Sequence, residues 1–304
     1  MTTTGTTAFD LQFQEIAEEA YERCGIEMRT GYQLRTARRS LNLLTIEWAN
    51  RGINLWTIEQ GEIVMNTGQV SYTLPLDTID LLDHVVRTGT GTNQIDINIT
   101  RISETTYSQI PNKLAQGRPI QVWVNRQSGN TNRTATTTLA VTALSTDTTI
   151  TVTSTANLAS AGYIKIGAEI IGYTNVDGNV LQNCVRGQSN TTAAGHTAGA
   201  QIYVTYIPNI NVWPTANAGG GYTFVYWRMR RLQDAGSGIQ TQDVPFRLVP
   251  ALTAGLAYHL SMKIPEAVAR VPMLKQVYDE QWEYASSEDR EKASLRLAPR
   301  QMFY

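Results

Sequence analysis

The side chains whose types could do chemistry are few and scattered. The 304-residue chain has three histidines, His84, His196 and His259, and two cysteines, Cys24 and Cys184. A cysteine beside a histidine would make a nucleophile with its base, and a Cys-x-x-Cys pair would hold zinc. The two cysteines lie far apart and form no such pair, so neither a disulfide framework nor a zinc site is expected. Asp80 and Asp83 with His84 offer ligands to a cation, but the EF-hand spacing is absent and Asp-rich loops more often cap and turn the chain. Gly219-Gly220-Gly221 would cradle phosphate only between a strand and a helix; between two strands it is a hairpin tip. His196, in Gly195-His196-Thr197-Ala198-Gly199, reads as a turn residue bonding the backbone, and His259 as a hydrogen-bonded core or interface imidazole. No G-x-G-x-x-G follows a strand, and P-loop, H-E-x-x-H and G-x-S-x-G patterns are missing. The expectation is a protein with no catalysis, no cofactor and no metal.

One cluster points outward. Arg228, Arg230 and Arg231, beside Tyr226 and Trp227, would make a basic aromatic stripe for nucleic acid or for a neighbouring protein. Alternation in a strand puts Arg228, Arg230 and Tyr226 on one face. An interface-facing strand edge, turned to a second subunit or a channel, is the preferred reading.

The elements that would position these groups divide by periodicity. Helical spacing appears only at the two ends. Phe13, Ile16, Ala17, Ala20 and Cys24 repeat at threes and fours, and Gly25 ends that helix. Leu34, Ala37, Leu41, Leu44 and Trp48 form the next, closed by Gly52. Near the other end, Leu248, Leu252, Leu256 and His259 predict a helix over about 246–263, stopped by Pro265. Leu274, Val277, Tyr278, Trp282 and Ala285 predict a last helix over about 268–293, whose stretch from Ser287 to Lys292 is a solvated charge run. Two end hairpins with unpaired apolar faces predict one antiparallel helical bundle.

The middle is β-rich. Glu62–Met65 and Val70–Leu74 flank Asn66-Thr67-Gly68-Gln69, a hairpin signal. Ile120–Val124 and Ile210–Trp213 resemble each other, and Tyr222–Arg230 is the longest strand candidate. Between the two Trp strands the composition changes: 12 of the 25 residues from Thr131 to Thr155 are Thr. Short strands with Gly and Asn turns predict a small all-β sandwich or barrel at 132–206, inserted into a loop of a discontinuous domain made of 1–131 and 207–304. The predicted class is therefore α+β: an antiparallel bundle from both ends, a β-rich middle and an inserted all-β module.

Charge narrows the partners. With 25 basic and 26 acidic residues the net charge is −1, which disfavours a polybasic nucleic-acid binder. Twenty of the 25 cations are Arg, the residue suited to bidentate interface contacts. No apolar run approaches a membrane span and no signal-peptide pattern opens the chain, so a soluble protein made in a reducing compartment is expected.

The block Ala37-Arg38-Arg39-Ser40-Leu41-Asn42-Leu43-Leu44, then Arg51-Gly52-Ile53-Asn54-Leu55-Trp56 and Glu59-Gln60-Gly61, resembles the head-to-tail adaptor proteins of short-tailed bacteriophages. The C-terminal block from Tyr226 to Gly236, with Asp243-Val244-Pro245-Phe246, Gly255-Leu256-Ala257-Tyr258 and Arg296-Leu297-Ala298-Pro299-Arg300, looks like the same group. The resemblance covers roughly 9–130 and 207–300. It implies a virion protein forming a ring, a dodecamer, beneath the portal, continuing the DNA channel toward the tail nozzle without sequence-specific DNA contact. The insertion departs from shorter adaptors: Cys184-Val185-Arg186-Gly187 and the Ala194–Ala200 loop look like a β-module of phage tail proteins. Its job stays open between decorating the ring and touching a tailspike or fibre.

The tail over 295–304 carries Arg296, Arg300, Met302, Phe303 and Tyr304, residue types enriched in interfaces. Adaptor C-terminal tails reach the portal, so the resemblance implies docking in a groove of the portal or a neighbouring subunit. Arg296 and Arg300 would pair with acids there, and Met302, Phe303 and Tyr304 would fill apolar pockets. The rivals are a tail-nozzle subunit, although nozzles are usually longer and dominated by β structure, and a carbohydrate-binding or adhesion module. Sugar-binding aromatics should cluster in the insertion, yet all six Trp lie outside it.

Overall fold

The computed structural model describes residues 11–52, 55–127, 131–189, 191–236 and 238–289. The chain opens with α1 (Phe13–Cys24) and α2 (Gly31–Arg51), then β1 (Ile58–Val64), β2 (Ser71–Thr73), β3 (Thr78–Thr88), β4 (Ile95–Asn98) and β5 (Thr100–Arg101). A short α3 (Glu104–Ser108) precedes β6 (Gln116–Gly117) and β7 (Gln121–Asn125). Then come β8 (Thr137–Thr138), β9 (Ile150–Thr151), β10 (Gly162–Ile166), β11 (Glu169–Tyr173), β12 (Asn175–Asp177), β13 (Val180–Gln182) and β14 (Gln201–Val204). The chain returns through β15 (Asn209–Trp213), β16 (Thr215–Ala216) and β17 (Tyr222–Arg230) to α4 (Val249–Ser261) and α5 (Val271–Glu288). It is an α+β protein with helices near both ends, in two units: a helical one of residues 1–58 and 231–304, and a β one of 59–230.

In the helical unit, α1, α2, α4 and α5 share one core. Both N-terminal helices start and stop where local chemistry dictates. Thr30 and Gln33 form a reciprocal capping box at α2, and Gly25 and Gly52 take the left-handed conformation that ends α1 and α2. α4 is buried nearly all round, from Ala251 through Ser261, so it is the central helix rather than a one-sided one. Gly255 lets α2 and α5 approach it: a Cβ there would lie 2.8 Å from both Leu44 and Tyr278. Fully buried Trp48 donates its indole N–H to the Tyr278 hydroxyl at 3.1 Å, and its ring meets Trp282 at 5.6 Å. The last two helices are shorter than their periodicity predicts, because 3-10 turns at Phe246–Leu248 and Pro265–Arg270 replace their first turns.

In the β unit, one sheet runs β1-β17-β3-β4 and another β2-β15-β7-β5, and their inward faces form a single core. The expected hairpin of 62–65 with 70–74 is not formed. β1 lies beside β17 and β2 beside β15, because the flanking segments find better partners in later strands. The longest strand is β3, eleven residues with buried Thr78, Leu81, His84, Val85 and Val86; its two aspartates disguise it as a loop. The two Trp strands β7 and β15 pair antiparallel, Asn125 facing Asn209, so residues 126–208 leave and return through adjacent strand ends. Within that stretch β11-β10-β14-β8 and β12-β13-β9 form two open sheets around a separate core that includes Leu139, Ile164, Ile171 and Ile202. Among the described residues there is no closed barrel.

Candidate interaction surface

Arg228 sits on β17, which is flanked by β1 and β3 and is therefore not a sheet edge, contrary to the sequence expectation. Irregularities after Trp227 and Met229 shift the register, so strict alternation fails there. Arg228 is buried: its Nη1 donates to Asp77 at 2.6 Å and to Thr78, and its Nη2 to Glu59 at 2.7 Å. Arg230 donates to the same Glu59 carboxylate at 2.7 Å. Both guanidiniums thus tie the ends of β1, β3 and β17 together. Arg231, in the helical unit, is exposed. Arg296, Arg300, Met302, Phe303 and Tyr304 lie outside the described residues.

The candidate chemical groups resolve into structural roles. Asp80 accepts from Arg101 at 2.7 Å and Arg126 at 3.1 Å, and Asp83 accepts the His84 backbone N–H. His84 is buried and stacks on Phe224 at 5.8 Å, and neither ring nitrogen has a hydrogen-bond partner among the described residues. Burial lowers its pKa, keeping the imidazole neutral. No three described metal-ligating side chains cluster. Cys24 and Cys184 are buried and free, and burial pushes both thiols up to about 11, leaving them unreactive near neutrality. His259 lies 3.3 Å from the Glu47 carboxylate.

His196 does more than the turn role expected from its loop. Its Nε2 lies 2.7 Å from Glu169, a carboxylate 1% exposed at the start of β11. Glu169 also accepts two bonds from Arg186, both at 2.8 Å, and the backbone N–H groups of Gly187 and Ala194 at 3.1 Å. Burial alone would raise its pKa, but these donors outweigh it and hold the carboxyl at about 2. One buried acid therefore ties Arg186, Gly187, Ala194 and His196 together. Sequence reasoning missed this brace because its parts are 17 and 27 residues apart.

The helical unit carries the opposite kind of feature. On α2 a second stripe, Tyr32, Arg35, Arg39, Leu43 and Ile46, recurs at threes and fours on the side away from the core. Leu43 is 58% and Ile46 57% exposed. Among the described residues no acid pairs with Arg35, Arg38 or Arg39; Arg39 reaches only the Thr36 hydroxyl at 3.4 Å. A groove of about 530 Å³ lies beside it, lined by Tyr32, Arg39, Leu43, Lys263 and Pro265 among others. In the β unit a second cleft, about 760 Å³, is lined by Tyr163, Tyr173, Asn66, Gln69 and Gln188 among others. Trp48 is buried and the other five tryptophans are half-buried. Tyr107 stacks on Trp123 at 5.3 Å, while Trp56 and Trp213 donate to backbone carbonyls.

No described helix is long and apolar enough to cross a membrane. The chain matches no model of a known protein family and no curated protein sequence.

Proposed function

We propose that the protein is a non-enzymatic virion subunit of a short-tailed phage, a head-to-tail adaptor. Its copies form a ring between portal and tail nozzle and continue the DNA channel. In this reading the four long helices are the ring's bundle, and residues 132–206 are a module inserted between β7 and β15.

The observation that carries it is the helical unit itself. The two sequence blocks that resemble adaptors come from opposite ends of the chain, yet they pack as one core: Leu44 sits against Gly255, and the Trp56 indole donates to the Asp243 carbonyl at 3.0 Å. That core supports an outward surface of exposed Leu, Ile and Tyr with arginines that meet no acid among the described residues, and Tyr and Arg are enriched in protein interfaces. Negative-stain images of the purified protein, alone and mixed with its portal, test the proposal. Rings stacking on the portal are expected, and particles lacking the protein should package DNA but leak it or fail to gain tails. Stable, tailed, infectious particles from a null mutant would refute it. Removing residues 295–304 should leave a folded protein that no longer joins the portal.

A carbohydrate-binding reading rests on the second cleft, which two tyrosines and three amide side chains help to line. Glycan binding that is lost in Tyr163→Ala would favour it.

A further inference from the structure

We infer that copies of this chain join head to tail, the outer stripe of α2 on one copy lying against the outer stripe of α5 on the next. The inference rests on the ring reading above and names the two surfaces that would form the ring.

The α2 stripe is apolar and basic. Tyr32, Leu43 and Ile46 are exposed, and Arg35 and Arg39 lie among them without an acidic partner among the described residues. The α5 stripe has the same rhythm and the opposite charge. Met273, Gln276, Glu280 and Tyr284 recur at threes and fours, Glu283 and Asp279 flank them, and all are exposed. Tyr284 is 65% and Met273 55% exposed. Glu280 accepts a bond from Gln276 at 3.0 Å, and no cation pairs with Asp279, Glu280 or Glu283 among the described residues.

At 1.5 Å per residue the stripes run about 21 Å along α2 and about 16 Å along α5, so the α5 stripe covers about three-quarters of the other. Two like charges one turn apart lie on each helix, Arg35 and Arg39 on α2 and Glu280 and Glu283 on α5, and α5 carries a single cation, Lys275, against Asp279, Glu280 and Glu283 on its exposed side. Paired, the stripes would cover both sets of apolar groups and neutralise both sets of charge. Because the two patches differ, the contact is heterologous: each copy uses both, and association propagates until it closes as a ring.

The test is sedimentation velocity and negative stain on the full chain. Arg35→Glu with Arg39→Glu, and separately Glu280→Arg with Glu283→Arg, should each remain folded by circular dichroism and sediment as single copies. Mixing the two variants should restore assembly, since the acidic α2 of one then meets the basic α5 of the other. Carrying all four changes in one chain should restore it too. Wild type that assembles while both variants assemble equally well would overturn this pairing and leave the ring reading standing. Wild type that stays a single copy at every concentration, with or without portal, would overturn both. Deleting residues 290–304 should leave self-association intact. If it abolishes assembly, the chain's own tail occupies one stripe and the pairing is wrong.

Discussion

Arginine–acid pairs bridge separate strands and loops in the β unit and are mostly local in the helical unit, where Arg23, Arg29 and Arg51 each meet an acid two to four residues away. In the β unit Arg87 holds Glu62 and Asp96, Arg101 and Arg126 hold Asp80, Arg186 holds Glu169, and Arg228 and Arg230 hold Glu59. These guanidiniums are satisfied inside the unit and tie strands that are distant in sequence. The helical unit is built instead on an apolar core centred on α4, and α2 exposes Arg35, Arg38 and Arg39 with no acid to meet them among the described residues. A short-stranded β unit with little core per sheet gains order from fixed charge pairs. Helices close their own hydrogen bonds, and on the outer face of α2 the arginines stay without an acidic partner among the described residues while Arg23 and Arg51 pair one turn away along their own helices.

That contrast can be broken from either side. The largest expected effect is Trp48→Ala, which carves the middle of the helical core and should cost about 3–5 kcal/mol. The check is urea unfolding followed at 222 nm. In the β unit the equal blow is a polar one. Glu169→Gln leaves the Arg186 guanidinium buried without its anion and should cost about 3–5 kcal/mol, read as earlier melting and as proteolysis within residues 186–196. A loss below about 1 kcal/mol would show that the brace is not what orders the loop.

Acid should separate the units next. The Glu169 carboxyl is held at about 2, below its ordinary 4.5. Its contribution is therefore complete above about 4.5 and disappears as pH falls toward 2. Amide exchange in the 186–196 loop should rise across that window while α4 stays protected, and Glu169→Gln should flatten the loop's response.

The smallest effect sharpens the contrast most. Arg35→Ala with Arg39→Ala should change the unfolding free energy of the single copy by no more than about 0.5 kcal/mol each, because both are exposed and among the described residues Arg39 reaches only the Thr36 hydroxyl. A larger loss would mean that these side chains stabilise their own copy.

Much of the helical unit was legible. The inner stripe from Ala37 to Trp48, the glycine stops and the Pro265 break are local signals of period 3.6, and they placed α1 and α2 within a few residues. The outer stripe of α2 follows the same rhythm: the sequence places Arg35, Arg38 and Arg39 largely outside the inner seam, and the structure shows them exposed beside Leu43 and Ile46. At the end of α5 the expected solvated charge run fails at Asp289, whose carboxylate is buried and accepts the Leu55 backbone N–H at 3.3 Å. That partner lies 234 residues away and leaves no local trace.

Strand pairing divides the same way. Alternation identifies β7, β15 and β17, but it does not show β3, where Asp80 and Asp83 read as turn formers; in the fold Asp80 meets Arg101 and Arg126, and Asp83 accepts the His84 backbone N–H. The apparent hairpin of 62–65 with 70–74 was a correct local turn signal overruled by β17 and β15.

By itself, then, the amino-acid order determined the α+β class, the helical ends, the β-rich middle and the absence of local catalytic motifs, all of which depend on residue types within a turn or two of one another. Tertiary structure alone decided which strands are neighbours, that α4 is central, that Arg228 is an internal brace, and that Arg35 and Arg39 meet no acid among the described residues. Those outcomes depend on which distant groups arrive at the same place, and contact across tens or hundreds of residues has no period to read.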